Sequence, residues 1–113
     1  MDDSTSVSEL KTAVRQFVAE RDWSKFHSAK NLSMAIAIEA AELMDLFTWQ
    51  TEETTNEYVA GPERLRAVEE IADVLIFALA FANQHGIDVS EAVAAKLVKN
   101  REKYPAAAFK GHV

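Results

Sequence analysis

Two pairs of acidic residues carry the chemistry that this 113-residue sequence most plainly offers: Glu39-x-x-Glu42 and Glu70-x-x-Asp73. Residues three apart lie on neighbouring rows of one helix face, so each pair can converge on a common point. Glu39 falls three residues after Ile36 and four before Leu43, within an otherwise apolar stripe. Asp73 is the one polar residue among the twelve from Ile71 to Ala82. A carboxylate in such a setting must be paired, bound to a metal or set at a cleft, because an isolated buried charge costs several kcal/mol, of order. Four oxygen-only ligands suit a hard cation, Mg²⁺ with Mn²⁺ as a substitute, and the Glu-x-x-His pattern of di-iron bundles is absent from both pairs. Salt bridges from Glu39 and Asp73 to Lys or Arg of a neighbouring helix are the competing explanation.

The elements that would position these acids follow from hydrophobic periodicity. Ser6 and Glu9 form a capping-box pattern, and Val7, Leu10, Val14, Phe17 and Val18 carry a first helix to about Arg21. Leu32, Ile36, Leu43, Leu46 and Phe47 mark a second helix from about Lys30 to Trp49. Residues 51–61 are polar and β-branched and read as a connection, with Gly61-Pro62 placing proline at or just before the start of a third helix. That helix ends near His85, where Gly86 supplies the left-handed cap. Asp88 and Glu91 open a fourth, carried by Val89, Val93 and Leu97 to Tyr104-Pro105, and the tail from Ala106 is expected to be loosely held.

Apolar residues make up 49% of the chain, with only 3 Gly and 2 Pro, which favours a helix bundle over short strands. No internal repeat or linker divides it, so residues 1–113 read as one domain with a core of about 6–105. The absence of cysteine excludes disulfides and thiolate chemistry. Neither a signal-peptide pattern nor a spanning apolar run is present, which makes a cytoplasmic protein the simplest expectation. A net charge of −6 argues against a nucleic-acid surface built on Lys and Arg, but not against a phosphate ligand bridged by divalent cations.

Taken in order, the acid pairs with Glu20-Arg21-Asp22-Trp23, Phe26-His27, Lys30-Asn31-Leu32, Leu46-Phe47-x-Trp49, Asp73-Val74-Leu75-Ile76 and Asn100-Arg101-x-Lys103-Tyr104-Pro105 resemble the MazG-like all-α nucleotide pyrophosphohydrolases, in their dCTP pyrophosphatase branch. The resemblance spans about Phe17 to Pro105. It implies an all-α four-helix bundle assembling as a homodimer or homotetramer. It also implies hydrolysis of a nucleoside triphosphate, dCTP or a modified dCTP, to the monophosphate and pyrophosphate. Glu39, Glu42, Glu70 and Asp73 would be the Mg²⁺ ligands, and Trp23, His27 and Trp49 would enclose the base. One departure is Phe77, where relatives of this branch often carry tyrosine, a difference that bears on substrate preference.

Other readings stand beside these assignments. Trp23 could seal the bundle end, His27 could cap a helix, and Lys96, Asn100 and Lys103, at i, i+4, i+7, could be a solvated basic face. The resemblance turns those three, with Tyr104 and more weakly Lys30 and Asn31, toward the phosphates. A non-catalytic helical dimerisation module, or a related dUTP or broad-range triphosphate hydrolase, are the alternative functions.

Overall fold

The computed structural model describes residues 1–113, and every element in it is helical: α1 (Val7–Glu20), α2 (Ala29–Asp45), α3 (Glu52–Ala60), α4 (Arg64–Gln84), α5 (Val89–Lys103) and the single turn α6 (Ala106–Phe109), with a 3-10 turn at Ser24–Phe26. The capping box of α1 forms as its sequence predicts, Ser6 Oγ accepting from the Glu9 N–H and Glu9 Oε1 from the Ser6 N–H, each at 3.1 Å. At its other end Asp22 adopts φ +51°, the one non-glycine residue in the left-handed region. The Asp22 N–H then donates to the Ala19 carbonyl and the Trp23 N–H to that of Val18, both at 3.1 Å, which closes the helix as a Schellman motif.

Two boundaries differ from the sequence expectation. α2 stops at Asp45, and the residues up to Gln50 tighten into i→i+3 turns, with Gln50 Nε2 donating to the Leu46 carbonyl at 2.9 Å. Residues 52–60, expected as a connection, form α3. A capping box of Thr51 and Thr54 starts this helix, and Tyr58 packs edge-on against Phe47 with ring centroids 5.5 Å apart. Here capping and tertiary packing override the low helix propensity of threonine. Gly61 then turns the chain, and a Cβ there would lie 2.9 Å from the Glu57 carbonyl oxygen, so the tight turn requires glycine. α4 begins at Arg64, two residues after Pro62, with Glu63 as its N-cap residue.

α4 is the shared partner of α1, α2 and α3. Small buried residues, Ala67, Ala80 and Ala82, let its neighbours approach, and Leu32 of α2 is the one large side chain wholly enclosed. α5 is different. It leaves α4 through Gly86, at φ +63°, and exposes Val93, Leu97 and Val98 without packing substantially on any other helix. The expected four-helix core is therefore incomplete within one chain.

The dimensions agree. The radius of gyration is 16.9 Å, against about 13 Å for a compact domain of this length. The accessible surface of 8814 Å² exceeds by about 2,600 Å² the roughly 6,200 Å² typical of a 12.6 kDa monomer. Much of the excess is apolar, including a groove of about 440 Å³ between α1 and α4 lined by Leu10, Val14, Phe17, Leu75, Ile76 and Leu79. The sequence-derived burial of Ile71–Ala82 on most sides does not hold in the single chain: Ile71, Leu75 and Ile76 are exposed, because α1 and α2 cover only part of α4.

Candidate metal centre and nucleotide site

α2 and α4 lie antiparallel, with Glu39 beside Glu70 and Asp73, and His27 near Gln84 at the opposite end. Carboxylate oxygens of Glu39, Glu70 and Asp73 all fall within 4.8 Å of one another, each on a half-buried residue. Glu42, more exposed, sits close enough to Glu39 and Glu70 to perturb both. The i, i+3 spacing on each helix thus delivers all four acids to one place, as the sequence predicts.

No Lys or Arg forms an ion pair with the cluster. The three ion pairs of the chain, Arg21–Glu20, Lys25–Asp22 and Arg66–Glu63, involve none of these acids, so the salt-bridge explanation is not what the structure contains. One oxygen each of Glu39 and Glu70 is hidden from solvent and accepts no hydrogen bond. Burial, foremost, and then the proton-sharing and charge of Glu42 and the charges of Asp73 and Glu70 hold the Glu39 carboxyl above its ordinary range. Glu70 is raised as well, first by burial and then by Glu42 and Asp73, with Arg66 opposing the shift. Converging anionic oxygens without donors fit a hard divalent cation, which would relieve the repulsion and occupy the orphaned lone pairs.

The remaining candidates are distributed around this centre. Phe77 is half-buried, one turn beyond Asp73 on the same face of α4. Trp23 stands edge-on to Phe17, with centroids 5.7 Å apart, and is 44% exposed; Arg21 lies over the other ring at 3.7 Å. Trp49, beyond the end of α2, is 95% exposed and touches no aromatic partner. The two indoles do not form a closed sandwich within one chain. Asn31 Nδ2 donates to the Phe26 carbonyl at 2.9 Å and ties the 3-10 turn to α2, while Lys30 is exposed. Lys96, Asn100 and Lys103 lie on the detached α5, where Tyr104 packs against Phe109 at 5.3 Å.

His27 opens onto a pocket of about 200 Å³ between the α1 and α4 ends, with an apolar floor of Val14, Val18 and Ala80 and a polar edge that includes Arg15 and Asn83. Sequence reasoning missed Arg15 and Asn83. They lie 68 residues apart and meet only through the fold, so no local pattern announces them.

The fold is an all-helical scaffold in which two antiparallel helices bring the carboxylates of Glu39, Glu70 and Asp73 together, a group able to hold a metal ion. The chain belongs to the MazG-like family, whose model matches residues 34–112. It is 36% identical over 101 residues to dCTP pyrophosphatase 1 of Bos taurus, covering 88% of this chain and 60% of that protein. With dCTP pyrophosphatase 1 of Homo sapiens the identity is 37% over 102 residues, covering 89% and 60%. The chain thus spans about 60% of the length of these relatives. A solved pyrophosphatase from Archaeoglobus fulgidus shares the fold with a TM-score of 0.81 and 39% identity, over 87% of this chain and 91% of that one.

Proposed function

We propose that the protein is a Mg²⁺-dependent hydrolase that cleaves a nucleoside triphosphate, dCTP or a modified dCTP, to the monophosphate and pyrophosphate, and so cleanses the cytoplasmic nucleotide pool. The observation that carries this is the cluster of Glu39, Glu70 and Asp73, with Glu42 beside it, which no Lys or Arg pairs and in which two hidden oxygens lack donors. The likeness to proteins named as dCTP pyrophosphatases supports the substrate class.

Glu39, Glu42, Glu70 and Asp73 hold the metal. When bound, Mg²⁺ neutralises charge on the phosphate oxygens and lowers the barrier to in-line attack by water at the α-phosphorus. One of the glutamates takes the proton from that water. Trp23 and His27 border the base, with Phe77 between base and metal centre, and Trp49, at the far end of α2, reaches a base only as the contribution of a second copy. Lys96 and Lys103 neutralise the β- and γ-phosphates, with Asn100 and Tyr104 donating hydrogen bonds. Lys30 and Asn31 are lesser contributors, Asn31 through its hold on the 3-10 turn.

The working form is a homodimer or homotetramer, because the excess surface and the uncovered faces of α1, α4 and α5 need a second copy. The substrate is a free nucleotide rather than a polymer, in keeping with the net charge of −6.

The test is pyrophosphate release from a panel of common and base-modified triphosphates with MgCl₂ or MnCl₂. Asp73→Asn should abolish release while the protein stays folded, since the amide keeps the volume and loses the anionic ligand. Near-normal turnover of that variant in saturating Mg²⁺ would refute the metal assignment.

A further inference from the structure

Stacking on an indole accepts any base, so the preference for a cytosine-type base needs groups that read its edge. The pocket beside His27 is placed for that. Asp73, Phe77, Ala80 and Gln84 follow one another at spacings of four, three and four and share a face of α4. Ala80 and Gln84 line the pocket, and Asp73 belongs to the carboxylate cluster. From Asp73 to Ala80 the helix advances about 10 Å. A nucleotide whose phosphates lie at the carboxylates and whose sugar crosses Phe77 sets its base here.

The hydrogen bonds on the polar edge fix which atoms face which way. Asn83 Nδ2 donates to the Lys11 carbonyl at 2.9 Å, and Asn83 Oδ1 accepts from Arg15 Nη2 at 2.9 Å. Only the amide nitrogen can donate to a carbonyl, so the network leaves a single orientation for this side chain. Oδ1 retains a second lone pair. The Arg15 guanidinium retains unused N–H groups, and no carboxylate forms an ion pair with it. The pocket edge therefore offers a fixed acceptor next to a fork of donors.

We propose that Asn83 and Arg15 are specificity-determining residues that read the amino-pyrimidine edge, Asn83 Oδ1 accepting from the exocyclic amine and Arg15 donating to the ring nitrogen or the 2-carbonyl. Cytosine presents a donor followed by two acceptors along this edge, and each meets its complement. Uracil and thymine present a carbonyl where cytosine has the amine, so an acceptor would face Asn83 Oδ1 and a ring N–H would face the guanidinium. Once a base covers this edge, unmatched polar groups discriminate between bases that differ little in shape. This inference rests on reading the protein as a nucleoside triphosphate hydrolase.

The experiment compares kcat/KM for dCTP and dUTP with Mg²⁺ in the parent, Asn83→Ala, Asn83→Asp and Arg15→Met. The parent should favour dCTP. Asn83→Ala should reduce the dCTP:dUTP ratio by about tenfold or more, mainly through KM for dCTP, as expected for loss of one edge contact. Asn83→Asp keeps an acceptor and should retain the preference. Arg15→Met leaves the Asn83–Lys11 bond intact and should also lower the ratio, so it decides the matter if Asn83→Ala does not fold. A parental ratio in folded Asn83→Ala and Arg15→Met overturns the edge reading alone. A parent that does not favour dCTP over dUTP overturns it too, and a parent that cleaves no triphosphate removes the functional reading beneath it.

Discussion

Leu75 offers a direct test of whether the uncovered groove between α1 and α4 is closed by a second copy. It is 55% exposed in the single chain and lines the groove with Leu10, Phe17 and Ile76. Complete burial of a leucine side chain is worth about 1.5–3 kcal/mol, and with half of it already covered, association gains roughly 0.8–1.6 kcal/mol per copy. In a two-fold interface each residue counts twice, so Leu75→Ala should weaken pairing by about 1.5–3 kcal/mol, or roughly 10- to 150-fold in Kd. Leu75→Glu would bury an unpaired charge and should give monomers. The surface in excess of a monomer's, about 2,600 Å² per chain, is about three times the roughly 800 Å² per partner of a standard interface, which points to an obligate assembly. Sedimentation velocity over a concentration series is the assay, with melting temperature followed in parallel, since an obligate assembly melts higher at higher concentration. A parent that sediments as a stable monomer at low micromolar concentration, or a Leu75→Glu protein that associates like the parent, refutes the argument.

The pH dependence of the metal-free protein has a defined sign. Glu39 and Glu70 titrate above their ordinary value of 4.5 in the folded chain, so the fold binds more protons than the unfolded chain between that value and the raised ones, and stability should fall as pH rises through this window. Acidification through the window above 4.5 should therefore raise the melting temperature of the metal-free protein, and millimolar MgCl₂ should remove the trend by stabilising the ionised cluster. A flat metal-free profile would contradict the crowding. For the indoles, Trp23→Ala and Trp49→Ala should each weaken dCTP binding by about 1–3 kcal/mol with little change in turnover, measured by indole quenching and steady-state kinetics. Parental affinity in both variants would mark them as structural.

Features written within a turn or two of chain were legible before the structure. The Ser6–Glu9 box, the Gly86 cap and the two i, i+3 acid pairs are local, and each occurs where the spacing puts it. α3 was not legible, because threonine at Thr51, Thr54 and Thr55 weakens the helical signal, and Thr54 closes its capping box without the expected Glu or Gln. The Arg15–Asn83 contact depends on how α1 crosses α4. The apolar stripe of α5 was visible, yet periodicity says only that a stripe must be covered, not that the other helices of the chain leave it open.

The carboxylate cluster also bears on how such a protein can be improved. Acids crowded so that Glu39 and Glu70 are pushed above their ordinary range, each with one oxygen unmet, are expected to cost the metal-free fold stability. Neutral replacements there, Glu39→Gln among them, relax the folded chain at no cost in packing volume. A library ranked by heat resistance in a chelating buffer would therefore enrich changes at Glu39 and Glu70 and discard function as it gained stability. With Mg²⁺ present the same library should keep the acids, if the ion is their partner as proposed. In this fold the composition of the buffer decides whether selection for stability preserves the centre or dismantles it.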